Sequence, residues 1–86
     1  MNDAMRYDYL KIYDAAMKAD AAWQAELVRL FGKKAGDVRY QPAGKGQEGS
    51  ELRRLYLEFR RTSDALQAAW EAVWDEARAK RKAGAL

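Results

Sequence analysis

Hydrophobic residues recur along the first third of the chain at steps of three and four positions. The residues that follow this step are Met5, Tyr9, Ile12, Ala16, Ala19, Trp23, Leu27 and Leu30. Because an α-helix turns once in about 3.6 residues, the step places all of them on one face. The pattern predicts a helix over residues 3–31, which ends before Gly32, the residue type most often found just after a helix.

A second stripe with the same step lies in the second half of the chain. Its members are Leu52, Tyr56, Phe59, Ser63, Leu66, Trp70, Val73 and Ala77. The stripe predicts a second helix over about residues 50–79, with the side chain of Ser50 capping its first turn. Residues 80–86 are then expected to form a frayed basic tail.

The stretch between the two stripes, residues 32–49, contains five of the six glycines and the only proline of the chain. We interpret it as a glycine-rich loop that folds back on the end of the helix pair. Residues 38–40 include a valine and a tyrosine, which favour strands, so we expect a short extended piece there.

The two stripes match each other when the chain is folded back on itself. If Phe31 faces Glu51 across the turn, Trp23 lies opposite Phe59. Ala16 then lies opposite Leu66, so that large and small side chains interdigitate. The fold class predicted is therefore all-α, with residues 1–86 forming one domain built as a long antiparallel helical hairpin.

Both apolar faces are wider than the single seam that two helices share. Six large residues flank the stripes and would stay exposed in a lone hairpin: Tyr13, Leu27, Phe31, Leu55, Leu57 and Trp74. An exposed strip of this kind marks an interface. We expect a homodimer that forms a four-helix, coiled-coil-like bundle, with self-association through Tyr13, Leu27, Phe31, Leu55 and Trp74. The alternative is a monomer that docks on a different protein.

Composition narrows the chemistry that is possible. The chain has no cysteine and no histidine, so it lacks thiolate metal ligands and the usual general base near neutral pH. We expect no enzyme activity, no cofactor, no metal and no small-molecule substrate. No run of about 20 apolar residues is present, and no apolar stretch follows the N-terminus, so we expect a cytoplasmic protein without a membrane segment.

The glycine run Gly44-Lys45-Gly46-Gln47-Glu48-Gly49 has the spacing of a dinucleotide-binding loop and leads into a helix. That function requires a preceding buried strand and a βαβ unit, and neither fits into this chain. We therefore interpret the run as a flexible turn.

Basic residues concentrate at the end of the hairpin that carries the connection. The candidate partner-binding residues there are Lys33, Lys34, Arg39, Tyr40, Lys45, Arg53, Arg54, Arg60 and Arg61. A basic patch attracts nucleic acid or an acidic protein, and Tyr40 could stack on a base. The competing interpretation is a solvated helix face in which Arg54 pairs with Glu58 and Arg60 with Asp64.

Two further groups complete the set of candidates. Trp70 and Trp74 lie one turn apart, opposite Tyr7, Tyr9 and Tyr13 of the first helix, which predicts an aromatic cluster in a core or an interface. In addition, Asp20 lies beside the apolar stripe and is expected to be partly buried, bonding Ser63 across the hairpin.

In architecture the predicted hairpin is similar to the Rop-type hairpin, which dimerises into a four-helix bundle. In size and composition the chain also resembles accessory proteins of bacterial mobile elements, including inhibitors of defence systems. These similarities imply a non-catalytic protein-interaction module, a small adaptor or inhibitor with an unidentified protein partner. The alternative is a nucleic-acid-binding regulator that uses the basic end of the hairpin.

Overall fold

A computed structural model describes residues 3–84, with side chains described from Arg6 onward. Helix α1 spans Asp3–Phe31, the short helix α2 spans Ala35–Val38, and helix α3 spans Glu51–Gly84. Two 3₁₀ turns, Gly32–Lys34 and Pro42–Lys45, flank α2, and residues 3–84 contain no strand. Helices α1 and α3 pack against each other in a particle of 56 × 23 × 22 Å, which confirms the all-α hairpin.

The ends of the long helices follow local chemistry. Gly32 has a φ of +57°, the left-handed conformation that ends α1 at Phe31 as the sequence predicts. The hydroxyl of Ser50 accepts a hydrogen bond of 3.1 Å from the backbone N–H of Arg53, so Ser50 caps α3.

Helix α3 continues to Gly84, well beyond the end predicted near residue 79. Arg81 and Lys82 lie in its last turn, where cations are favourable at the negative end of the helix dipole. The expected frayed tail is thus helical through residue 84. The rest of that tail, Ala85 and Leu86, and the side chain of Met5 in the first stripe lie outside the described residues.

The connection is compact and helical, so the extended piece expected at residues 38–40 is wrong. Val38 is the last residue of α2 and is buried, and Arg39 keeps helical angles with a φ of −51°. The N–H of Arg39 donates to the Ala35 carbonyl at 3.0 Å, and that of Gln41 donates to the Val38 carbonyl at 3.0 Å. Burying the Val38 side chain in the core outweighs the preference of valine for strands.

The hydrophobic core lies at the connected end of the hairpin. Its buried members are Trp23, Leu27, Ala35, Val38 and Leu52, with Phe31, Leu55, Tyr56 and Phe59 packed against them. The rings of Trp23 and Phe59 stack with centroids 4.7 Å apart, which is the facing pair that the sequence predicts.

This core changes the set of self-association candidates. Leu27 is 0% exposed, so its side chain is not available to a second copy, and its predicted role in self-association is corrected. The connection covers Leu27, since Ala35 and Val38 belong to the same cluster. Phe31 and Leu55 are half-buried against that cluster, whereas Tyr13 and Trp74 remain exposed.

Gly44 fixes the connection against α1. Its carbonyl accepts a buried hydrogen bond of 2.9 Å from the indole Nε1 of Trp23. Gly44 is itself buried, and a Cβ added there would overlap the carbonyl oxygen of Val38. The first glycine of the glycine run is therefore needed for close backbone packing.

We predict that Gly44→Ala lowers the free energy of unfolding by about 1–3 kcal/mol, because the new methyl group overpacks the connection. Gly36→Ala is the matched control: an added Cβ meets no atom within 4 Å, and alanine is the better helix former in α2. Urea unfolding followed by far-UV circular dichroism measures both. Equal stability of the two variants would contradict the packing described for Gly44.

Candidate functional site

One side of the hairpin carries a continuous stripe on each long helix, and we call this side the groove face. The stripe on α1 is Leu10, Tyr13, Met17, Asp20 and Gln24, and the stripe on α3 is Tyr56, Arg60, Ser63, Gln67, Trp70 and Trp74. Both follow steps of three and four, so each lies on one side of its helix. On this side a groove of about 420 Å³ lies between the two helices, lined by Tyr9, Ser63, Leu66, Gln67 and Trp70.

The half of the groove face away from the connection is aromatic and apolar. The rings of Tyr9 and Tyr13 stack at 6.5 Å, Tyr9 meets Trp70 at 6.4 Å, and Trp70 meets Trp74 edge-on at 5.6 Å. The aromatic cluster forms as predicted, except that Tyr7 lies apart beneath the ammonium of Lys11. Five large side chains are 43–52% exposed on this face: Leu10, Tyr13, Met17, Trp70 and Trp74.

In the half of the groove face nearer the connection, Arg39 contacts residues of both long helices. Its guanidinium lies 4.5 Å from the ring centroid of Trp23 and 5.2 Å from that of Phe59. It donates to the carboxylate of Asp20 and, at 2.9 Å, to the side-chain oxygen of Gln24. Asp20 is therefore partly buried as expected, but its partner is Arg39 and the predicted bond to Ser63 is wrong.

A recess of about 310 Å³ opens beside Arg39, and we call it the cationic recess. Its lining consists of Trp23, Arg39, Tyr40, Lys45, Tyr56, Phe59 and Arg60. The ammonium of Lys45 lies 5.9 Å from the Tyr56 ring, and the guanidinium of Arg53 lies 5.7 Å from it. The lining is wholly aromatic or cationic, which makes the recess suited to an electron-rich or anionic group.

Two arginines of the predicted basic patch form ion pairs on α3 itself. Arg54 donates to Glu51 and Arg61 donates to Glu58, each toward the preceding turn, in place of the predicted Arg54–Glu58 pair. These hydrogen bonds lower the pKa of the Glu51 and Glu58 carboxyls below their ordinary value. The resulting stabilisation is present above the ordinary glutamate pKa and is lost as pH falls through the lowered values.

The remaining cations of the basic patch differ in whether they form ion pairs. Arg60 lies 3.9 Å from Asp64, the spacing that the sequence predicts, although the pair is long and exposed. Four cations of the patch form no ion pair within residues 6–84: Lys33, Lys34, Lys45 and Arg53. Tyr40 is 85% exposed beside them and does not pack on its own loop.

Sequence reasoning missed Tyr56 and Gln24 as members of the site. The apolar stripe predicts Tyr56 in the seam between the helices, yet its ring also forms a wall of the cationic recess. The signal that would have found both residues is the second run of steps of three and four beside each apolar stripe. Within the described side chains, no group of three or more carboxylates lies close enough to hold a metal ion.

No family model, curated protein or solved structure matches the chain. Among residues 3–84, no helix combines the length and the apolar character needed to cross a membrane. Function is therefore inferred from the geometry and charge of the groove face and the cationic recess.

We predict that Asp20→Ala lowers the free energy of unfolding by about 1–2 kcal/mol, because it leaves the half-buried Arg39 with Gln24 alone; partial exposure keeps the loss modest. Asp14→Ala is the control, since Asp14 pairs with Lys18 at 3.0 Å with both side chains well exposed, and should change stability by less than about 1 kcal/mol. Urea titration with tryptophan fluorescence compares them. If Asp20→Ala is as stable as Asp14→Ala, the ion pair between Asp20 and Arg39 does not stabilise the fold.

Proposed function

We propose that the chain is a non-catalytic protein-interaction module, a small helical adaptor or inhibitor that works as a homodimer. In this proposal two hairpins pack through the groove face into a four-helix bundle. The observation that carries it is the row of five large apolar side chains, each 43–52% exposed, on one face of the molecule. Contiguous apolar surface of this kind is characteristic of a docking site.

The size and stability of the hairpin support self-association. The core occupies only the connected end, while Ala16, Ala19 and Thr62 are the buried residues described nearer the open end. Small domains without disulfides commonly gain stability by burying a second face against another copy. A face of 56 × 23 Å is large enough for the roughly 800 Å² per partner that a stable interface buries.

The composition of the chain supports the non-catalytic part of the proposal. The chain contains no cysteine and no histidine, so it lacks the thiolate nucleophile and the general base most often used near neutral pH.

We predict that the wild-type chain at roughly 50 µM scatters light as a particle of twice 9.8 kDa. Met17→Glu and Trp74→Glu should each yield a monomer, because both place an unpaired charge in the buried seam. Ala22→Glu, at an exposed position on the far side of α1, is the control and should stay dimeric.

Circular dichroism of all variants ensures that the helices remain folded. A wild-type mass of one chain would refute the homodimer, and the groove face would then have to serve a different protein. Equal weakening by Ala22→Glu would place the seam on another side of the hairpin.

A foreign partner would bind the connected end of the hairpin, and we propose that it is an acidic protein. Lys33, Lys34, Lys45 and Arg53 supply the charge that is free to attract it. Nucleic acid is the second candidate, which the exposed ring of Tyr40 beside these cations favours. The acidic protein is preferred because Arg39, Arg54 and Arg61 each have an acidic partner within the chain, which lowers the net positive charge that a long phosphate backbone would meet.

We predict weak binding to a labelled mixed-sequence DNA duplex at physiological salt, measured by fluorescence anisotropy at several salt concentrations. Four phosphate contacts would give a slope of about −3.6 in the logarithm of the binding constant against that of salt. Tight binding with such a slope, lost in Lys33→Glu with Lys34→Glu, would establish the nucleic-acid function instead. The matched control carries the same charge change at the other end of α3, Arg81→Glu with Lys82→Glu.

A further inference from the structure

The two ends of the groove face have complementary shape and chemistry. At one end the paired indoles of Trp70 and Trp74 stand half-exposed. At the other end the cationic recess, about 310 Å³ in volume, has Lys45, Arg60 and the Tyr56 ring in its lining. Cations are attracted to the face of an indole more strongly than to any other aromatic side chain. The indoles at one end can therefore bind the cations at the other end.

A twofold axis can bring these two ends together. In a symmetric dimer the same patch is used by both copies, so that residue i contacts residue j and residue j contacts residue i. Tyr56 and Trp74 are equidistant from position 65 of α3, and so are Arg60 and Trp70. The axis that places the tryptophans on the recess must pass at the height of Ala65, about 13 Å along α3 from Trp74.

The residue of α1 at that height is suited to an axis position. Met17 lies six residues before Trp23, and Ala65 lies six residues after Phe59. Because the rings of Trp23 and Phe59 stack on each other, Met17 and Ala65 lie at the same height of the antiparallel hairpin. A residue on a twofold axis meets its own copy, where a charged side chain would be repelled. Met17 is apolar, flexible and 43% exposed, and it belongs to the groove face.

The charges near the axis favour an antiparallel arrangement. Glu71 accepts a hydrogen bond from Gln67 at 3.1 Å and forms no ion pair within residues 6–84. In the antiparallel dimer Glu71 lies at the height of Arg60 of the second copy. Among residues 6–84 of its own chain, Arg60 has only a long ion pair, 3.9 Å, with Asp64. A parallel dimer would instead set Arg60 against Arg60 and leave the recess without an indole.

We propose that two copies of this chain meet antiparallel through the groove face, with the twofold axis beside Met17, so that Trp74 of each copy completes the cationic recess of the other. The inference rests on the proposed homodimer and adds its register. In this register Lys45 belongs to the dimer contact, and Lys33, Lys34 and Arg53 remain free for a foreign partner.

The register can be tested with single cysteines, since the chain has none of its own. Met17→Cys should form a disulfide-linked dimer on mild oxidation, because the two thiols meet at the axis. Leu10→Cys is the control on the same stripe: it is 52% exposed, yet in this register it lies about 21 Å along the bundle from its own copy. A disulfide requires Cα atoms within about 7 Å, so this variant should stay uncrosslinked.

The outcomes separate the register from the proposed function. Crosslinking of both variants would indicate a parallel dimer and overturn the inference. Crosslinking of neither, with a wild type that is dimeric by light scattering, would also overturn it while leaving the homodimer intact. A monomeric wild type would refute the homodimer itself.

A charge swap tests the Arg60–Glu71 contact independently. Arg60→Glu and Glu71→Arg should each raise the dimer dissociation constant by about tenfold, because either change sets like charges together at two symmetric contacts. The double variant restores the attraction and should return the constant to within about threefold of the wild type, when measured by sedimentation equilibrium. A double variant no tighter than either single one would overturn the proposed contact.

Discussion

The indole of Trp23 holds the two long helices and their connection together. Its ring stacks on Phe59 of α3 at 4.7 Å, and its N–H donates to the carbonyl of Gly44 at 2.9 Å. The guanidinium of Arg39 covers the ring at 4.5 Å. One buried side chain thus joins α1, the connection and α3. A buried carbonyl left without its donor costs about 1–3 kcal/mol, a large share of the stability of a domain this small.

The position of Trp23 makes side-chain burial uneven along the hairpin. Burial concentrates where the connection folds over the hairpin, and the buried residues described toward the other end are Ala16, Ala19 and Thr62. Tyr13, Trp70 and Trp74 remain half-exposed along the groove face at that end. The same constraint explains both features that carry the proposed function: the connection builds the cationic recess, and the uncovered half of the hairpin presents the aromatic strip.

The elements that depend on local sequence were predictable, and those that depend on the connection were not. Steps of three and four in the apolar residues predicted both long helices and the facing pair Trp23–Phe59. The burial of Leu27 was not predictable, because the residues that cover it, Ala35 and Val38, lie in a stretch without periodicity. The ion pair of Asp20 with Arg39 likewise joins a helix to the connection over nineteen positions, and no local pattern marks it. Three of the eight predicted cations, Arg39, Arg54 and Arg61, are engaged within the chain. The pairs of Arg54 and Arg61 are local to α3, but each arginine has acids on both sides in the sequence, and the pattern alone does not select the acid of the preceding turn.

In the homodimer proposed above, a second hairpin lies alongside the first and covers its groove face. Small-angle X-ray scattering can detect this arrangement, because one curve gives both the mass and the longest dimension of the particle in solution. We expect twice the mass of the 9.8 kDa chain, with a longest dimension still close to the 56 Å of the single hairpin. A particle with the mass of one chain, or a doubled mass with a nearly doubled length, would contradict it.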